Sequence, residues 1–99
     1  MKLKPGVKPA GLKPELVLAL IVAESVYQNY GYEMTVTSIN DGTHGRQTLH
    51  DFGYAADLRT RNVPESEREP MVTEIQQRLG DQYDVILEND HIHLEYDPR

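Results

Sequence analysis

Two alternating runs near the C-terminal end constrain this chain most. Tyr83 to Glu88 reads YDVILE and His91 to Tyr96 reads HIHLEY, with only Asn89 and Asp90 between them. Side chains along a strand point to opposite faces in turn, so two such runs around a two-residue gap predict a β-hairpin. The same period sorts the last strand into two faces. His91, His93 and Glu95 share one, and Ile92, Leu94 and Tyr96 share the other. The apolar face calls for helices packed on it, which leaves the histidine face free for a site.

The rest of the chain supplies those helices and two more strands. Residues 1–13 are punctuated by proline and glycine and predict an extended arm lying on the surface. Pro14 suits the first turn of a helix, where its missing N–H would have no partner anyway. Leu16, Leu20, Ala23 and Tyr27 then follow helical spacing over 14–30, and Gly31 is a plausible stop. Apolar residues surround most of the turn, which suggests a helix buried on more than one side. The run Leu16 to Ala23 follows four lysines, as the core of a signal peptide would. However, Glu15 and Glu24 bracket it, three prolines precede it and no small-residue cleavage site comes after it. A buried helix is therefore the expectation, and the run is too short to span a bilayer.

Glu33 to Ser38 (EMTVTS) alternates as a short strand, and Asn40-Asp41-Gly42 reads as a turn. Thr43 to Gly53 reads as an irregular loop. Tyr54 to Arg59 reads as a second strand, with Ala55, Asp57 and Arg59 opposed to Tyr54, Ala56 and Leu58. A second helix opens over Pro64 to Arg68, shows an apolar face at Met71, Val72, Ile75 and Leu79, and stops at Gly80. The expected fold is α+β: one small antiparallel sheet of about four strands with two packed helices, in a single domain spanning 1–99.

Composition narrows the chemistry. Sixteen acidic against ten basic side chains leave a net charge of -6, which argues against a duplex nucleic-acid partner. With no cysteine there is no disulfide, thiolate zinc site or cysteine nucleophile, so any metal must use His, Asp or Glu. The chain has four histidines: His44, His50, His91 and His93. Asp57, set among small alanines, is an unusual strand residue whose charge needs a partner if buried. Two imidazoles and one carboxylate suit a catalytic zinc that keeps an open position for water. Read from the residues alone, Asp57 could instead pair with Arg59 or Arg46, and an H-x-H strand is more often structural than catalytic.

The segment Thr48-Leu49-His50-Asp51-Phe52-Gly53-Tyr54-Ala55-Ala56-Asp57 resembles the S-x-H-x-x-G-x-A-x-D motif of zinc D-alanyl-D-alanine carboxypeptidases. Their relatives include the L-alanyl-D-glutamate endopeptidases of phage lysins and the hedgehog signalling domain. Thr48 stands where serine is usual. Asp90-His91-Ile92-His93 looks like the second motif of the family, in the right order and at a fitting separation. The two blocks and the elements between them cover residues 33–97, about two-thirds of the chain.

This resemblance implies a hedgehog/DD-peptidase-like fold of phage-type minimal size, with zinc as cofactor and His50, Asp57 and His93 as its ligands. It implies Asp90 as the catalytic carboxylate, with Glu88 competing for that role, and His91 as a stabiliser of the transition state. His44, Arg46 and Thr48 would touch substrate or support the site. The expected activity is hydrolysis of a peptide bond in the peptidoglycan stem peptide, by a carboxypeptidase or an endolysin-type endopeptidase. The alternative is a non-catalytic zinc domain used for binding or assembly. The carboxypeptidase S-G-Y-R segment is replaced here by Ser38-Ile39-Asn40-Asp41, which lacks the arginine that would grip a substrate carboxylate. Without a clear signal peptide or an apolar span, the expectation is synthesis in the cytoplasm, no membrane insertion, and action at the cell wall, with a phage or prophage origin suggested.

Overall fold

Alternating strands and two apolar helical stripes assemble into a helix layer on a sheet. The computed structural model describes residues 1–41 and 52–98. Its elements in chain order are β1 (Lys2–Leu3), α1 (Pro14–Tyr30), β2 (Thr35–Asp41), β3 (Phe52–Arg59), α2 (Glu65–Leu79), β4 (Tyr83–Leu87) and β5 (His91–Tyr96). The strands form one five-stranded sheet in the order β1-β2-β3-β5-β4. The fold is α+β, as expected. The additional strand is β1, two residues of the N-terminal arm that pair in parallel with Thr35 and Val36, so the sheet is mixed.

The C-terminal hairpin closes as its sequence requires. The Glu88 N–H donates to the His91 carbonyl at 2.8 Å across Asn89 and Asp90. Pro14 sits in the first turn of α1, and Gly31 ends that helix with φ 89°, a left-handed backbone that glycine takes without a Cβ penalty.

One face of the sheet carries the core. Met34, Val36, Ala56, Leu58, Val85, Ile92 and Leu94 pack against Leu16, Leu20, Ala23, Val26 and Tyr27 of α1 and against Met71 and Ile75 of α2. Two tyrosines tie the layers together: Tyr27 Oη donates to the Arg59 carbonyl at 2.8 Å, and Tyr83 Oη donates to the Glu15 carbonyl at 2.9 Å.

Three local expectations are corrected. α1 is buried along one stripe only, since Leu18 and Ile21 are each 55% exposed and Val17 is 40% exposed. A two-layer fold covers a helix from the sheet side and, here, from α2, which leaves its outer face to solvent. The backbone of Asn40 and Asp41 continues β2 rather than turning, because Asn40 finds a ladder partner in Ala55 and Asp41 finds one in Phe52. Phe52 and Gly53 likewise belong to β3 and not to a loop. Among the described residues, no helix is long and apolar enough to cross a membrane.

Candidate functional site

The face opposite the helices gathers the candidate site residues that the structure describes. In the antiparallel ladder Asp57 lies directly across from His93, and Arg59 lies across from His91. On the other side of β3, Ser38 of β2 pairs with Asp57. The Asp57 carboxylate therefore sits between two strands that both point polar groups at it. His93 Nδ1 lies 3.0 Å from Asp57 Oδ1, and Ser38 Oγ donates to Asp57 Oδ2 at 2.6 Å. His91 Nε2 stands 3.6 Å from the same Oδ1. The other ring nitrogen of each histidine meets a further carboxylate: His91 Nδ1 lies 2.7 Å from Asp90 Oδ1, and His93 Nε2 lies 2.8 Å from Glu95 Oε1.

Ser38 reaches Asp57 because of an irregularity. Val36 pairs with Leu58, yet Ser38, two residues on, pairs with Asp57, only one residue back along β3. Thr37 is the extra residue of a bulge, and such an insertion re-aims the side chains beyond it. In a regular strand Ser38 would share the apolar face of Met34 and Val36.

The face is graded in burial, not open throughout. Glu95 and Ala55 are fully buried at one end. At the other end His91 keeps 31% of its side chain exposed and Asp90 keeps 89%. A cleft of about 300 Å³ opens at this end, lined by Asp57, Asp90 and His91 together with three cations, Lys4, Arg59 and Arg61. Glu88 is exposed and does not line it.

The electrostatics arise from these distances. Burial pushes the Asp57 carboxyl up, but hydrogen bonds from His93 and Ser38, aided by the charges of His91 and His93, hold it below its ordinary 3.8. The Asp57 hydrogen bond lifts His93 against the effect of burial, Glu95 adds to the lift, and the imidazole is held at about 9. Without metal, His93 is thus an imidazolium bridging two carboxylates at neutral pH. The His91 hydrogen bond holds Asp90 below the usual carboxylate range.

Asp57, His91, His93 and Asp90 thus come together, whereas His44, Arg46, Thr48 and His50 lie outside the described residues. The donor set fits a metal as far as it is described. A carboxylate oxygen and an imidazole nitrogen 3.0 Å apart need to widen only slightly to share an ion, since tetrahedral zinc with bonds of about 2.0–2.2 Å spaces its ligands roughly 3.3 Å apart. A second group was not foreseen. Asp84, Glu95 and Asp97 each bring one oxygen within 4.8 Å of the others and could hold a metal ion. An all-oxygen set suits hard cations better than zinc.

Sequence reasoning missed Ser38 and any role for Glu95. Alternation put Glu95 on the histidine face, and that was its one available signal. No known family model, curated protein or solved structure matches this chain.

Proposed function

We propose that this domain is a zinc-dependent peptidase that hydrolyses a peptide bond of the peptidoglycan stem peptide, with zinc held by His50, Asp57 and His93. One observation carries the reading. A carboxylate and an imidazole from neighbouring strands converge at 3.0 Å beside a cleft that also holds a second histidine and a solvent-facing carboxylate. Resemblance of the two sequence blocks to zinc peptidases adds to it.

Bound zinc would supply a Lewis acid and lower the pKa of water at the site. The chain's own groups do the rest. Asp90, exposed at the cleft and ionised at neutral pH, accepts a proton from the attacking water and returns it to the leaving amine. His91, oriented through Nδ1 by Asp90 at 2.7 Å, turns Nε2 toward the cleft, where that nitrogen, when it also carries a proton, donates to the oxygen that gains charge in the transition state. Ser38 holds the Asp57 carboxylate from behind and limits its rotation. Lys4, Arg59 and Arg61 give the cleft a positive rim suited to a substrate that carries carboxylates, as stem peptides do. Action would be at the cell wall.

Incubation with purified muropeptides, read by mass spectrometry with and without chelator, tests the reading. New fragments that vanish on chelation, and on Asp90→Asn, are the expected result. Unchanged muropeptides from zinc-loaded protein would leave the non-catalytic zinc domain in its place.

A further inference from the structure

Among the described residues, Glu95 is the most buried carboxylate of this face. It lies directly across the ladder from Asp84 on one side and Ala55 on the other. Two carboxylates facing each other across strands repel, and a buried charge needs a specific partner. His93 supplies one, with Nε2 at 2.8 Å from Glu95 Oε1. The same ring presents Nδ1 to Asp57, so the imidazole is held at both nitrogens.

This arrangement has a directional consequence. A carboxylate only accepts, so each nitrogen of the metal-free ring carries a proton toward its carboxylate, and an ion held between Asp57 and Nδ1 would take the place of the Nδ1 proton alone. A neutral imidazole has one proton, and if Nε2 keeps it, Nδ1 is left with a lone pair turned toward Asp57. Resting on the zinc site proposed above, we propose that Glu95 is a positioning residue for the metal: it fixes His93 as the Nε2–H tautomer and aims Nδ1 at the ion. Carboxylates that hold the far nitrogen of a liganding histidine orient the ring and raise its basicity, and losing one typically costs roughly 10–100-fold in metal affinity.

The test uses the whole chain and zinc alone, with affinity read by competition against a chromogenic chelator. Glu95→Ala should weaken zinc binding by roughly 10–100-fold. Glu95→Gln keeps an accepting oxygen without the charge and should fall between. Asp84→Asn, a change in the same acidic group away from His93, should leave the affinity within about twofold if positioning and not general negative potential is at work. A second readout is the nitrogen NMR signature of His93 in the zinc-loaded protein, which should show protonated Nε2 and metal-bound Nδ1. It needs only the unmutated chain, so it decides the matter even if Glu95→Ala fails to fold. Zinc on Nε2, or unchanged affinity in both Glu95 variants, overturns the role of Glu95 alone. Failure of the unmutated chain to bind zinc overturns the zinc site and this role with it.

Discussion

Replacing Asp57 with asparagine should release His93 from its elevated pKa, and the effect is large enough to measure cleanly. In the metal-free protein the imidazole is held at about 9 against an ordinary 6.5, with the Asp57 hydrogen bond as the main cause. That difference corresponds to about 3 kcal/mol of preference for the charged ring in the folded state. The ring is well buried, with 15% of its side chain exposed, so solvent screening removes only part of this. Because the folded value is raised, the stabilisation is fully present below 6.5 and is lost as pH climbs through about 9. Asp57 shows the other side of the same pair. Its lowered pKa gives stabilisation that is present above 3.8 and lost on acidification, and it is not counted twice. Asp57→Asn leaves Glu95 as a supporting anion, so the His93 pKa should fall by roughly 1–3 pH units, the usual effect of an opposite charge in contact. NMR titration of the His93 ring in metal-free protein reads the change directly. Urea unfolding at about pH 6 and about pH 9.5 should show the unmutated chain losing stability between them and the variant losing less. A His93 that still titrates near 9 in Asp57→Asn would refute the bridging geometry.

Two further outcomes test how the site face is supported from behind and from the side. Leu94 is fully buried between the two site residues His93 and Glu95, facing the helices, and Leu94→Ala should cost about 2–5 kcal/mol in urea unfolding. A cost under about 1 kcal/mol would contradict the close-packed core described. Gly53 has φ 97°, its carbonyl accepts the Lys13 N–H at 3.2 Å, and an added Cβ would collide with the Gly11 carbonyl oxygen. Gly53→Ala should therefore destabilise by at least roughly 1–3 kcal/mol and loosen the arm, exposing residues 5–11 to protease. An arm as resistant as in the unmutated chain would refute that contact.

Much of the fold was legible because it depends on short-range periodicity. YDVILE and HIHLEY sort their own faces by alternation, and Asn89-Asp90 leaves room for nothing but a tight connection. Pro14 and Gly31 mark their helix by backbone chemistry alone. The pairing of Asp57 with His93 was half legible: each strand's polar face could be read, but the ladder that sets them opposite each other is a long-range register. The outer face of α1 was not legible, since Val17, Leu18 and Ile21 look like core residues until the layers on either side are known.

Sequence alone determined local matters: which residues alternate, where helices start and stop, and that only imidazoles and carboxylates were available for a metal. Tertiary structure decided the rest. The bulge at Thr37 swings Ser38 onto the Asp57 carboxylate, against the alternation of its own strand. Neighbouring strands bury Glu95, and a hydrogen bond to His93 partners its charge there. The physical reason is that alternation assigns a side chain to a face, whereas burial and partnership depend on strand order and register, which arise only when distant segments meet.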